Sequence, residues 1–148
     1  GGDMTESVSS GWTQCRTALV KTFPQLYELE PNGPLAMDLG EDGWLVEIRP
    51  EGTVLCQYGV AMEDVMALMS DGTPEDLGTD EVAKQAKYFL QPAVSKYRAL
   101  LLQSGFLEET EINDEFVAVT FARPVDLQNR SKVEDLLRWC RRQIGGAA

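Results

Sequence analysis

Histidine is absent from this chain of 148 residues, and several common site motifs are absent with it. Without an imidazole there can be no Ser-His-Asp triad, no Cys-His pair and no histidine-containing metal site. Neither G-x-G-x-x-G nor G-x-x-x-x-G-K-[ST] occurs, so the usual glycine-rich phosphate loops are excluded as well. No apolar run approaches the length of about 18 residues that a membrane span requires. These absences favour a non-enzymatic protein that does not enter a membrane.

Cysteine is also scarce, and its three copies, Cys15, Cys56 and Cys140, are far apart in the sequence. An odd number without any C-x-x-C pair argues against a disulfide framework and against a zinc site. Each cysteine falls on the apolar register of its own segment. We therefore predict three small core residues in a reducing compartment, and hence a cytoplasmic location.

Acidic residues dominate the charge, with a formal net charge of −11 that is unevenly distributed. Residues 1–81 carry a net charge of −13, whereas residues 82–148 carry +2. Such a field repels nucleic acid and anionic membranes, so a cationic or neutral partner is expected. The densest acidic groups are residues 71–76 and 108–111, and the first of them lacks the ligand spacing of a calcium loop. We predict solvated acidic loops there, with no metal and no cofactor.

The length predicts one domain. Gly1–Asp3, ahead of Met4, has the character of a cloning remnant, and we expect residues 1–8 to form a disordered tail. The polar, acidic start predicts no signal peptide. Residues 9–146 are then expected to form a single α+β domain.

The strongest pattern in the sequence is an amphipathic helix from Thr79 to Ser104. Its apolar residues recur at offsets of three and four, which places them on one face at about 100° per residue. This predicted stripe comprises Val82, Ala86, Phe89, Leu90, Ala93, Tyr97, Leu100 and Leu101. The opposite face carries Lys84, Tyr88, Gln91, Ser95, Arg98 and Leu102. Gly105 is the expected left-handed C-cap, and Pro92 predicts a kink within the helix.

The remaining segments predict the order α-βββ-α-α-ββ-α and a small, mostly antiparallel sheet. A helix is expected from Ser9 to about Thr22, followed by a loop over residues 25–34. Alternating residues predict a three-strand meander from Leu35 to Tyr58, and a short helix follows over 62–70. A two-strand acidic hairpin is expected over 106–121. The last helix opens at a predicted capping box from Ser131 to Glu134.

Three groups of side chains are candidates for binding a partner. Met62, Met66 and Met69 share one helical face and are adaptable enough for an accommodating apolar groove, although they could equally fill irregular core. Trp139 lies on the flank of the last helix and could anchor a partner or be partly buried. Tyr88 and Leu102, on the polar face of the long helix, would suit a homodimer seam or be isolated surface residues.

Element order and acidity together resemble two related families, the class I type III secretion chaperones and the YbjN-like proteins. The passage Phe121–Leu127, FARPVDL, followed by a helix with Leu136 and Leu137, is similar to the end of those families. The resemblance implies a homodimer that wraps an extended segment of a partner protein without catalysis. This chain departs from the pattern in having two predicted helices, 62–70 and 79–104, where the families usually have one.

Three functions follow from these observations. The first is a non-enzymatic protein-binding module, chaperone or regulator, that holds a cationic or amphipathic partner segment. The second is a small-molecule sensor or enzyme, with a pocket of roughly 300 Å³ or more between the sheet and the kinked helix that uses Tyr58, Tyr97 and carboxylates. The third is an immunity-type inhibitor that neutralises a basic toxin.

Overall fold

The computed structural model describes residues 2–40, 43–68, 79–113 and 115–145, with the backbone alone described for residues 2–10, 68 and 79–83. The helices in these ranges are α1 (Gly2–Thr22), α2 (Met62–Leu68), α3 (Thr79–Gln103) and α4 (Arg130–Gln143). The strands are β1 (Tyr27–Glu28), β2 (Leu35–Leu39), β3 (Trp44–Arg49), β4 (Thr53–Ala61), β5 (Leu107–Ile112) and β6 (Phe116–Pro124). The predicted α+β class is confirmed.

The strands form one six-stranded sheet in the order β1-β2-β3-β4-β6-β5. The predicted meander corresponds to β2, β3 and β4, and the predicted hairpin to β5 and β6. β2 pairs antiparallel with both β1 and β3, with Met37 opposite Val46 in the β2–β3 register. The prediction of a loop over residues 25–34 was wrong in one respect, because Tyr27 and Glu28 pair with β2. No helix in the described ranges combines the length and apolarity needed to cross a membrane.

By packing, the chain divides into two compact units: unit 1 comprises residues 1–56 and 122–148, and unit 2 comprises residues 57–121. In unit 1 the alternating apolar residues of the meander are buried as predicted, among them Trp44, Val46 and Ile48. α1 contributes its own apolar face, and its Trp12 indole donates a hydrogen bond of 2.8 Å to the Asn32 carbonyl. The predicted helix from Ser9 to Thr22 is thus the second part of α1.

The start of α4 differs from the predicted capping box. Asn129 is the N-cap, and its side chain accepts a hydrogen bond from the Lys132 amide at 3.3 Å. The helix therefore begins one residue before Ser131. Glu134, expected to complete the box, instead accepts a hydrogen bond of 2.9 Å from the Thr22 hydroxyl of α1. The Glu134 carboxylate is thus engaged with α1, and the first turn of α4 is capped by Asn129 through the Lys132 amide.

In unit 2, α3 ends as predicted at a left-handed glycine. Gly105 has a φ of +90°. The Phe106 amide donates to the Leu101 carbonyl at 3.1 Å, and the Gly105 amide donates to the Leu102 carbonyl at 3.3 Å. This is the hydrogen-bond pattern of a Schellman motif, which satisfies carbonyls left free by the helix end. α3 is assigned as one helix that runs through Pro92.

The buried face of α3 is rotated from the predicted stripe. Ala86, Leu90, Val94 and Leu101 are buried, whereas Phe89, predicted to be buried, is 43% exposed. The prediction missed Val94 because apolar residues occur around much of this helix, and periodicity alone cannot select among them. Val82 lies in the part of α3 whose side chains are not described. The expected polar face, including Tyr88 and Leu102, is exposed.

Candidate functional site

Five exposed residues of α3 follow one another along its solvent side. They are Tyr88, Pro92, Ser95, Ala99 and Leu102, which we call the outer stripe. Their spacing of four, three, four and three residues keeps them on one helical face and gives the stripe a length of about 21 Å. Large side chains occupy its two ends, with Tyr88 76% and Leu102 39% exposed. The middle is made of small residues, so another helix could approach the backbone closely there.

Basic residues flank the outer stripe. From Lys84 to Gln103, α3 has four basic residues and no acidic residue, although the chain as a whole has a net charge of −11. Lys96 and Arg98 take the positions next to the stripe that correspond to the e and g positions of a coiled coil. The Lys96 ammonium also lies over the Tyr97 ring, 5.3 Å from its centroid. The exposed face of α3 is therefore a local positive region.

A groove of about 270 Å³ runs between α3 and the hairpin of β5 and β6. Its apolar side chains are Leu90, Val94 and Val119, and its polar lining is Lys87, Gln91, Ser95, Arg98, Glu108 and Thr110. Ser95 belongs to both the groove and the outer stripe. Arg98 forms an ion pair with Glu108 across the groove. Both partners of this pair are accessible to water, which screens their attraction.

This groove lies where the small-molecule hypothesis placed a pocket, beside the proline-containing helix. Its volume is below the roughly 300 Å³ at the lower end for small-molecule sites. Neither Tyr58 nor Tyr97 is among its lining residues, whereas one carboxylate, Glu108, is. Its openness to solvent suits it to receive side chains of a partner better than to enclose a metabolite.

The hairpin presents a surface of opposite charge. β5 is the last strand of the sheet order and carries the exposed residues Glu109 and Glu111. Leu107 at its start is 75% exposed. The turn into β6 is fixed by Asn113, whose side chain accepts hydrogen bonds from the amides of Glu115 at 2.8 Å and Phe116 at 2.9 Å. Unit 2 therefore exposes a basic helix and an acidic strand.

The methionine candidates lie on α2, also in unit 2. Met62 and Met66 are half-buried, and Val65 between them is fully buried. The Met62 amide donates to the Glu115 carbonyl at 2.8 Å, which fixes the start of α2. Met69 lies outside the described residues. The two described methionines are therefore partly core and partly accessible.

Trp139, the remaining candidate, is on α4 in unit 1 and is half-buried. Its neighbour Arg138 places its guanidinium over the Phe23 ring, 5.6 Å from the centroid, and pairs with Asp135 at 3.3 Å. The five predicted site residues that the structure describes are thus distributed over three helices. Tyr88 and Leu102 are together on α3, Met62 and Met66 are together on α2, and Trp139 is in the other unit.

A larger cleft, of about 880 Å³, lies in unit 1. It runs along α1 beside the segment that leads into α4, and is lined by Gly11, Thr13, Gln14, Cys15, Thr17, Ala18, Lys21, Leu127, Gln128 and Arg130. Among the side chains that the structure describes, this lining has two cations and no carboxylate. Burial raises the pKa of the Cys15 thiol, an effect that the nearby Arg130 opposes, so this thiol contributes a neutral wall. No local sequence pattern indicates this cleft, because its two sides are more than 100 residues apart.

Among the described residues, no three acidic or cysteine side chains are grouped so that they could hold a metal ion. Comparison with known proteins adds no functional assignment. The sequence matches no protein-family model, and no curated protein and no solved structure is significantly similar to this chain.

Proposed function

We propose that this chain is a non-enzymatic protein-binding module that holds an amphipathic helical segment of a partner protein on the outer stripe of α3. The main observation that supports this proposal is the outer stripe. A 25-residue helix that leaves Tyr88 largely exposed, with Leu102 on the same face, offers an apolar seam of the kind that helix-in-groove recognition uses. Tyr88 is the expected anchor, because tyrosine is enriched among residues that dominate binding energy.

The basic residues beside the outer stripe determine which sign of charge the partner segment should carry. Lys96 would repel basic residues at the matching position of a second helix and attract acidic ones, and Arg98 would do the same where a partner carboxylate replaces Glu108 in its ion pair. The segment that fits α3 is therefore amphipathic with acidic flanks. A cationic segment, the other class of partner that the sequence allows, would fit the acidic face of β5 instead.

The same charges bear on self-association. If α3 paired with α3 of a second copy, basic flanks would face basic flanks in either orientation, which is unfavourable by an amount similar to that of an attractive pair. The homodimer that the chaperone resemblance implies would therefore need another surface. A chaperone or regulatory role, with binding of a client segment on α3, remains compatible with this arrangement.

The test uses designed helical peptides that share one apolar face and differ only in their flanks, which carry Glu, Gln or Lys. Binding to the full chain is measured by fluorescence anisotropy. We expect the Glu-flanked peptide to bind most tightly and the Lys-flanked peptide most weakly, with the difference reduced at high salt.

Two exposed leucines supply a matched pair of variants for the same assay. Leu102→Ala and Tyr88→Ala are expected to weaken binding by about fivefold or more, since anchors commonly contribute above 1 kcal/mol. Leu107→Ala removes an equally large exposed side chain from β5 and is expected to leave binding unchanged. Equal losses for Leu102→Ala and Leu107→Ala, or tightest binding of the Lys-flanked peptide, would contradict the proposal.

A second candidate function, binding of a small anionic molecule, is favoured by the cleft in unit 1. Lys21 and Arg130 reach it from two different elements, and Gln14 and Gln128 add amide groups that can donate hydrogen bonds. Its volume lies within the range of about 300–1,000 Å³ of ligand sites. Thermal shift with di- and tricarboxylates and with inorganic phosphate tests it. A stabilisation that Lys21→Gln abolishes would support this function, and no shift with any of these anions would rule it out.

A further inference from the structure

Two of the three cysteines meet in the core of unit 1. Cys56 on β4 and Cys140 on α4 have their Sγ atoms 3.5 Å apart, in a weak thiol hydrogen bond. Both side chains are fully buried. The two residues are 84 positions apart in the sequence, so their proximity results from the fold and not from local spacing. Cys15, also buried, serves as an internal reference that has no such contact among the described residues.

The packing of β4 and α4 explains why Cys56 and Cys140 are in contact. Cys56 follows Val54 on the same face of β4, since alternate strand residues point the same way. Cys140 continues the buried face of α4 with Val133 and Leu137, at offsets of three and four. Each cysteine is thus the point of contact between a strand face and a helix stripe, where small side chains let the two elements approach.

We propose that Cys56 and Cys140 form a reversible disulfide when the chain meets an oxidant of the disulfide class, so that β4 becomes covalently linked to α4. Two sulfur atoms already in contact need to approach by about 1.5 Å to reach bonding distance. The number and spacing of the cysteines in the sequence argued against such a disulfide. It is independent of the partner surface on α3 and of the cleft along α1.

The chemistry is a pair of thiol–disulfide exchanges. One cysteine loses its proton, and its thiolate attacks a sulfur of oxidised glutathione and releases one glutathione thiolate. The second cysteine, also deprotonated, attacks the resulting mixed disulfide and releases a second glutathione thiolate, which completes the Cys56–Cys140 bond. The two cysteines together lose two electrons and two protons, and one oxidised glutathione becomes two molecules of glutathione.

The native environment makes this reaction slow. The hydrogen bond with Cys140 and burial both raise the pKa of the Cys56 thiol well above its ordinary value. Little thiolate is present near neutral pH, and glutathione cannot reach a buried sulfur until the helix opens away from the strand. We therefore expect the bond to form readily while the chain folds and only slowly in the folded protein.

The effect of the disulfide on stability depends on the length of the chain segment that it closes into a loop. Residues 57–139 lie inside the closed loop, and they include the whole of unit 2. A crosslink across so long a loop removes much conformational freedom from the unfolded chain. The melting temperature should rise by about 5–10 °C in the oxidised form, given the usual stabilisation by disulfides and the size of the chain.

The experiment refolds the full chain in parallel with reduced glutathione alone and with a mixture of reduced and oxidised glutathione. Free thiols are then blocked with iodoacetamide under denaturing conditions, and linked peptides are mapped by mass spectrometry without reduction. We expect one intramolecular link, Cys56 to Cys140, and alkylated Cys15. The oxidised form should melt at the higher temperature and return to the lower one after dithiothreitol.

Variants separate this pair from general thiol oxidation. Cys15→Ala should give the same link and the same shift in melting temperature, whereas Cys140→Ala should give neither. Three alkylated cysteines after oxidative refolding, a link that includes Cys15, or links only between different chains would each overturn the proposal. The map of the unmodified sequence decides the matter even if Cys140→Ala does not fold.

Discussion

Two glycines with similar positive φ angles but different surroundings allow the cost of backbone strain to be separated from that of a steric clash. Gly52 in the β3–β4 turn has a φ of +95°, and Gly105 after α3 has a φ of +90°. An added Cβ at Gly52 would lie 2.9 Å from the Val125 carbonyl oxygen, whereas at Gly105 it would meet nothing within 4 Å. Alanine at either position must adopt a conformation that L-residues rarely take.

The expected magnitudes follow from these contacts. Gly105→Ala should lower the free energy of unfolding by about 1 kcal/mol, the usual cost of a left-handed conformation for a residue with a Cβ. Gly52→Ala carries the same cost and adds a clash with a backbone oxygen. That oxygen cannot rotate away as a side chain would, and its neighbour, the Val125 amide, donates to the Gly52 carbonyl at 2.8 Å. Forced contacts of this kind cost about 1–3 kcal/mol, so a total of about 2–4 kcal/mol is expected.

Urea denaturation followed by tryptophan fluorescence measures both variants against the unmodified chain. Gly11→Ala is the control, because Gly11 lies within α1 and an added Cβ there meets nothing within 4 Å. This substitution should stabilise the protein by about 0.5–1 kcal/mol, since alanine favours a helix over glycine. A cost for Gly52→Ala no larger than that for Gly105→Ala, or a neutral Gly105→Ala, would refute this separation of strain from clash.

Three further predictions concern the core, one helix contact and pH. Leu101→Ala should cost about 2–5 kcal/mol because Leu101 is fully buried, whereas its neighbour Leu102→Ala should cost less than about 1 kcal/mol; chemical denaturation of both variants checks that Leu101 faces the core and Leu102 faces solvent. Thr22→Val should lower stability by about 0.5–1.5 kcal/mol through loss of the hydrogen bond to Glu134, and a Glu134→Gln background should reduce that loss in a double-mutant cycle. The raised pKa of the Cys56 thiol means that the unfolded chain releases this proton first, so stability should be fully present below the ordinary value of 9.0 and decrease as the pH rises above it. Melting temperatures of the reduced chain and of Cys56→Ala across that range should differ in slope, and parallel slopes would contradict this assignment.

The sequence by itself determined the secondary structure that depends on local spacing. Period-two alternation found β2, β3 and β4, and apolar residues at offsets of three and four found α3 and α4. Gly105 was identified as a helix end because a left-handed residue is needed there and glycine adopts that conformation without strain. The exposed positions of Tyr88 and Leu102 followed from the same periodicity. These features involve residues at most a few positions apart, so the information that fixes them is local.

Where the local sequence is compatible with several helix faces, caps or contacts, only the tertiary structure decided which one is formed. It rotated α3 so that Val94 is buried and Phe89 exposed, because packing against a particular surface selects one face of a helix with many apolar residues. It placed the N-cap of α4 at Asn129 and engaged Glu134 with Thr22 of α1. It also brought Cys56 into contact with Cys140 across 84 positions. Each of these outcomes depends on contacts between segments that are distant in the sequence. Local sequence patterns do not specify such contacts.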